Sequence, residues 1–288
     1  MNAGDHGAGC RSSVGWSVLQ PCVNFDSVTT DAIAWFVAKG PAQLGTNYVP
    51  GPIQYGRLKW TNGTPQFLEN PWNNSLNPPA YYDLDYAGFT APQQPDGTNN
   101  QALALSTTGS RLTMAVVRSN ALWTCHHVGL NSQGGYNGEA QTALRSGCQW
   151  FRLQISSDGQ SLTMADNNRV YDGSTSSPYF YFVPSLMVNS NGDMVMGFSG
   201  SRGTEHIGAF YTGRLANGSV PDRPVLIQAG RHYFGTFGWG DYSYTSLDPV
   251  DSTFWTVQLY AETLTSDDKC PPGATCARWG TWVVKINK

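Results

Sequence analysis

Apolar and polar positions along this chain follow two rhythms, and neither is helical. Alternating runs such as Tyr55-Gly56-Arg57-Leu58-Lys59-Trp60 sit near almost unbroken apolar runs such as Ala32-Ile33-Ala34-Trp35-Phe36-Val37-Ala38. A period of two marks a strand with one wet face, and a continuous run marks a strand covered on both. One grouping recurs four times: a strand, a tight turn, a long apolar strand, then one or two further strands. The first copy is Cys22-Val23-Asn24-Phe25, a turn over Asp26 to Thr30, and Asp31 to Ala38. The second runs from Ala102-Leu103-Ala104-Leu105 through a turn to Arg111–Arg118, with further strands at Ala121–Leu130 and Cys148–Ile155. The third is Pro184 to Asn189, a turn at Ser190-Asn191-Gly192, and Asp193 to Ser201, followed by strands at His206–Arg214 and Val225–Gln228. The fourth is Asp241 to Leu247, a turn at Asp248-Pro249-Val250-Asp251, and Thr253 to Tyr260, with a last strand at Gly280–Asn287.

One such unit cannot bury both of its faces, but a ring of them can. The expected fold is therefore all-β, a β-propeller with four to five blades in this chain, complete or as part of a six-bladed ring; a β-sandwich is the structural competitor. The copies lie about 60–80 residues apart, more than the roughly 40–50 of compact blades, so long surface insertions are expected. Residues 1–15 read as a flexible Gly-rich segment ahead of a propeller domain over 16–288. Residues 61–100 are rich in Pro and Asn, with Tyr81 to Tyr86 as a short strand inside them.

Composition supports this picture. Only 13% of the 288 residues are charged, while Gly (32), Trp (10), Tyr (14) and Phe (12) are abundant, which suits short strands and tight turns. The formal net charge of -3 gives no reason to expect nucleic acid as a partner. No apolar run approaches the roughly 20 residues of a membrane span, and the first residues show no secretory signal. The six cysteines fall into near pairs, Cys10/Cys22, Cys125/Cys148 and Cys270/Cys276. None has metal-binding spacing, so disulfides are expected and, with them, an extracellular or periplasmic location. Three Asn-X-Ser/Thr sequences begin at Asn62, Asn73 and Asn217.

The ordered set Arg111-Leu112-Thr113-Met114, Ala121-Leu122-Trp123-Thr124, Pro184-Ser185-Leu186 through Gly197-Phe198-Ser199-Gly200-Ser201, and Trp239-Gly240-Asp241-Tyr242-Ser243 through Phe254-Trp255 resembles a family of secreted bacterial proteins. That family carries sialidase-like (BNR-type) β-propeller domains. The resemblance runs from about residue 15 to the end and implies the fold more firmly than an activity. Relatives usually carry more propeller sequence ahead of the first copy, and many have Cys where this chain has Thr253. A sialidase-like activity would need an arginine cluster, a Tyr/Glu pair and an acidic Asp. Arg111, Arg145, Arg202, Arg214 and Arg231 would supply cations, and Tyr242 or Tyr211 the phenol.

In a propeller the innermost strands line a central channel, and loops at one end form the usual pocket. Asp241 opens an innermost strand, and His126-His127 is the only histidine pair. Adjacent strand residues point to opposite faces, so at most one of these histidines serves a pocket as a base. The candidate catalytic set is Asp241, His127, His126, Tyr242, Arg111 and Arg214, and the candidate ligand-binding set is Trp239, Tyr233, Arg145, Tyr136 and Trp72. Asp193, Asp248, Asp251 and Glu205 are further carboxylates for glycosidase chemistry, which needs two in proximity. No cofactor is required; Asp248 and Asp251 would be the residues to hold Ca²⁺ with loop carbonyls. P-loop, Rossmann, zincin and α/β-hydrolase signatures are absent. Three readings follow: a secreted propeller that binds glycans or other extracellular polymers; a carbohydrate-active enzyme, sialidase-like hydrolase or polysaccharide lyase; and an assembly protein whose open ring is completed by another chain, with self-association as one form.

Overall fold

The computed structural model describes residues 18–26, 33–41, 50–68, 73–84, 92–95, 109–137, 143–218, 221–234, 239–240, 243–265 and 276–288. The expected first segment, the Ala102–Leu105 strand, Asp241, Tyr242, Trp72, Cys10 and Cys270 lie outside them. The protein is an all-β propeller, with four blades and no α-helix among the described residues. Blade I holds β1 (Gln20–Pro21), β3 (Ile33–Lys39), β4 (Ile53–Thr61), β5 (Thr64–Phe67) and β6 (Ser75–Leu76). Blade II holds β7 (Met114–Arg118), β8 (Ala121–Leu130), β9 (Arg145–Ile155) and β10 (Leu162–Val170). Blade III runs β11 (Phe180–Val188), β12 (Met194–Arg202), β13 (Glu205–Arg214) and β14 (Val225–Gln228), and blade IV runs β15 (Tyr244–Leu247), β16 (Phe254–Thr265) and β17 (Cys276–Ile286).

Each blade is an antiparallel meander, and one strand stitches two of them. After β1 pairs with β3, the chain continues as β2 (Val23–Asn24) parallel to β7 of blade II. Asp26 then accepts hydrogen bonds from the backbone N–H of Ser119 (2.7 Å) and Asn120 (2.8 Å). These two residues, both at positive φ, form the two-residue turn between β7 and β8, as a right-twisted hairpin requires.

The cores lie between blades. Along blade II the side chains alternate between two of them: Ala115, Val117, Leu122, Phe151 and Leu153 pack with Trp35, Val37, Ile53 and Tyr55 of blade I. Met114, Val116, Trp123, Cys125 and Trp150 pack with Leu186, Met196 and Phe198 of blade III. A third core joins Phe180, Phe182 and Ile207 of blade III to Leu259 and Ala261 of blade IV, with Phe234 and Trp239. All ten residues of β8 are buried, so an unbroken apolar run reflects two covered faces.

Several expectations need correcting. Within the expected Arg111–Arg118 strand only Met114–Arg118 pairs, between β8 and β2, and in the first copy Val23–Asn24 pairs with this strand rather than turning back on Ile33–Lys39, because strand periodicity does not name the partner. Tyr81 to Tyr86 contributes an isolated bridge, Tyr82 to Gly129, and no strand over the described residues 81–84. The polar strand β10 went unrecognised, because Asp166, Asn167 and Asn168 hide its pattern. Cys22, Cys125 and Cys148 are free thiols. Cys125 stands opposite Trp150, and Cys148 opposite His127, so the two cysteines are diagonal neighbours. Such positions are about 7 Å apart, beyond the reach of a disulfide. Burial pushes the Cys125 thiol up to about 12.

Candidate functional site

The end of the propeller at which the inner strands begin carries an open polar cluster on blade III. Its frame is the β12–β13 hairpin, whose two-residue turn leaves Arg202 directly opposite Glu205. Phe180 pairs with Ser201, so the register places Tyr179 beside Arg202. The Tyr179 hydroxyl donates to Glu205 Oε2, and Arg202 Nη2 donates to Glu205 Oε1. The Arg202 guanidinium lies 4.5 Å over the Tyr179 ring, and the Tyr179 ring stacks on Tyr181 at 5.5 Å and 11°. Arg202 and Glu205 remain 32% and 36% exposed, so this polar pair faces solvent while its aromatic base is fixed.

The loop leading into Tyr179 is folded around Asp172. That carboxylate accepts the backbone N–H of Ser174 (2.9 Å) and Tyr179 (2.8 Å) and the Ser174 hydroxyl (2.6 Å). Burial works to raise the Asp172 carboxyl, and these hydrogen bonds together hold it below its ordinary value. Arg145 clamps the same loop from blade II by donating to the carbonyls of Asp172 and Ser174. Beside Asp172, the half-open Tyr171 ring lies flat on Gly134; a Cβ there would come within 2.3 Å of the ring. Arg169 ties the layer down through Nη1 to the Gly134 carbonyl at 3.0 Å.

The electrostatics follow from the contacts. Burial, then the hydrogen bond to ionised Glu205, push the Tyr179 phenol far up, so it stays protonated. Burial would raise Glu205, but hydrogen bonds from Tyr179 and Arg202 hold it below its ordinary value. The rim therefore offers an ionised acceptor, a guanidinium donor and an aromatic platform.

The predicted site residues do not gather at this rim. His126 is buried, with Nδ1 3.0 Å from the Ser110 carbonyl and Nε2 3.3 Å from Gln149. Burial drives its pKa down to about 3, so the ring is neutral. His127 is fully buried, and its Nδ1 accepts the backbone N–H of Val183 at 3.4 Å. Val183 sits at a bulge in β11 with φ 52, a strained value for a β-branched residue, and His127 braces that bulge. Neither histidine lines an open pocket, against expectation. Trp239 is a core residue whose Nε1 donates to Ser199 Oγ (2.9 Å), and Tyr233 is half-buried nearby in sequence. Tyr136 packs edge-on to Tyr82 at 4.7 Å. Arg111 is half-buried at the start of blade II, and Arg214 lies at the other end of the molecule, paired with Asp166 at 2.9 Å.

Asp248 and Asp251 hold the β15–β16 turn. Asp248 accepts from Val250 N–H and Trp255 Nε1, Asp251 from Thr253 N–H, and both pair with Lys285. Among the described residues no three His, Cys, Asp or Glu side chains converge as metal ligands. Asp193 is likewise engaged, by Asn189 and the Ala216 N–H. Tyr171, Asp172 and Tyr179 were missed in the sequence. The Ser-Arg-Gly-Thr-Glu hairpin tip falls between the expected strands Asp193–Ser201 and His206–Arg214, but its tyrosine partner comes from the preceding loop through strand register.

No known family model matches the chain, and no curated protein matches it in sequence. Among solved structures it is similar to the GH93 alpha-L-arabinofuranosidase of Fusarium graminearum in complex with arabinobiose. The TM-score is 0.42 and the identity 11%, over 93% of this chain and 61% of that one. This chain thus spans less than two thirds of that enzyme's length.

Proposed function

We propose that this protein is an extracellular glycan-binding propeller that engages its ligand at the rim formed by Tyr171, Tyr179, Arg202 and Glu205. The observation that carries this is the open Arg202–Glu205 pair held on the Tyr179–Tyr181 stack, with the half-open Tyr171 one residue before the Asp172 that anchors Tyr179. A sugar presents hydroxyls that both donate and accept, together with an apolar C–H face. A fixed carboxylate, a guanidinium and an open aromatic face match those needs. Tyr171 stacks on the sugar; Arg202 and Glu205 read its hydroxyls.

Binding without turnover is favoured by the state of the acids. Glycosidic cleavage needs two working carboxylates, and here Asp172 is filled by its own loop while the Tyr179 phenol is held protonated. A glycan array followed by product analysis tests the reading. Tyr171→Ala and Glu205→Gln are each expected to weaken retention of the bound glycan about tenfold, the equivalent of roughly 1.4 kcal/mol, with no released product. Turnover lost in Glu205→Gln would replace this reading with a hydrolase or lyase, and the absence of any glycan bound would overturn both.

A further inference from the structure

At the opposite end of the molecule, the seam between blades II and III gathers arginines. Trp123 on β8, Arg152 on β9 and Asp166 on β10 stand directly opposite one another across three strands, so they share the face turned toward blade III. The Arg152 guanidinium lies 5.7 Å from the Trp123 ring centroid. Arg214 reaches over from β13 and lies 5.6 Å from the Trp123 centroid and 5.1 Å from that of Trp150. Arg118 closes a third side from the end of β7, anchored by donating to the Phe25 carbonyl at 2.8 Å. With Ser119, Asn191, Gly192 and Ala216 these residues line a cleft of about 200 Å³.

The cleft is rich in donors and has no carboxylate in its lining. Trp123 is 3% and Arg214 4% exposed. The Trp123 Nε1 and the Nε of both Arg152 and Arg214 are buried with no hydrogen-bond partner. Arg214 has Asp166, but Arg152 has no carboxylate partner among the described residues; the Trp123 ring is its contact. Asp166 is taken up by Arg214, and two further carboxylates are engaged by neighbouring turns, Asp26 on the Ser119 and Asn120 N–H groups and Asp193 on Ala216 and Asn189. Every unsatisfied group is a donor, so the complementary ligand is an acceptor with negative charge. The three guanidiniums approach from three strands of two blades rather than in one plane, which suits a tetrahedral group better than a flat carboxylate.

We propose that this cleft is an oxyanion site that takes a sulfate or phosphate group, free or carried as an ester on a polymer. The volume is that of several waters at about 30 Å³ each, which leaves room for the atoms to which an ester is attached. The proposal stands independently of the rim on blade III.

Calorimetric titration with sodium sulfate and sodium phosphate tests it, with sodium chloride at matched ionic strength as control. Saturable binding is expected, weakened about tenfold or more in Arg152→Gln by loss of one charge-assisted contact and partly kept in Arg152→Lys. Because the Arg152 guanidinium makes no hydrogen bond among the described residues, Arg152→Gln is expected to unfold at the same temperature as the parent without sulfate. If it fails to fold, Asn191→Asp, an exposed turn change that sets a carboxylate at the cleft, is expected to weaken binding by like-charge repulsion. Dextran sulfate against neutral dextran separates the sources: tighter binding of the polymer points to an ester, and binding of the inorganic ions alone to a free anion. Equal binding by parent and variants, or an effect reproduced by chloride, overturns the site.

Discussion

Blades II and IV are built from similar residues and end in different surroundings. The β8 strand of blade II is buried throughout, and its sheet feeds two separate cores. Blade IV packs on blade III through Phe254, Thr256 and Gln258, while part of its opposite face stays open among the described residues. There Tyr244, Val257 and Val283 form one cross-strand row and Ser246, Trp255 and Lys285 the next, with Tyr244 at 49% and Val283 at 54% exposure. Strand chemistry is alike in the two blades, so burial is set by neighbours. A blade with neighbours on both sides is held by area removed from water. The outer surface of blade IV is fastened instead by exposed polar links, Lys285 to Asp251 and Arg231 and Tyr260 to Glu262.

The largest effect expected from this contrast is Phe151→Ala in blade II. Phe151 is fully buried, and its loss is expected to cost about 3–5 kcal/mol through transfer and cavity terms, measured by urea denaturation; a loss below about 1 kcal/mol would break the distinction. A smaller, pH-dependent effect is expected at Glu262. The hydrogen bond from Tyr260, then that from Thr263 N–H and the Arg231 charge, hold its carboxyl down at about 2 against an ordinary 4.5. A depressed folded-state value contributes stability above pH 4.5 that is lost as pH falls toward about 2. Glu262→Gln is therefore expected to flatten the acid limb of a stability–pH curve over that window and leave its neutral region nearly level. The smallest effect is Val283→Ala, expected to stay within about 0.5 kcal/mol; a larger loss in urea, or one that depends on protein concentration, would show that this surface is covered in solution.

How much could be read in advance differs between fold and site. Two of the four inner hairpins, the third and the fourth, were legible, because an Asn-Gly or Asp-Pro turn between apolar runs has few structural meanings; in the first copy Val23–Asn24 pairs with blade II instead of turning back on Ile33–Lys39. In blade II the described hairpin joins Met114–Arg118 to Ala121–Leu130, while the expected Ala102–Leu105 strand lies outside the described residues; two apolar runs in succession leave their partners to be decided by pairing. At the rim, Arg202 and Glu205 stood among the candidate ions, but Tyr179 did not. The histidine pair attracted attention because histidine titrates near neutrality, yet burial left one ring with a pKa of about 3 and the other bracing a bulge.

The arginine cleft makes the same point at the other end. Arg118, Arg152 and Arg214 come from three strands of two blades, and no spacing along the chain announces their meeting. The sequence alone determined that this protein is all-β, repeats a strand–turn–strand unit and avoids helices, because backbone periodicity and turn chemistry are local. The tertiary structure alone decided which faces are wet, which thiols and histidines are sealed, and which arginines share a cleft. Those outcomes depend on register and on the blade next door, and neither is written in any single stretch of residues.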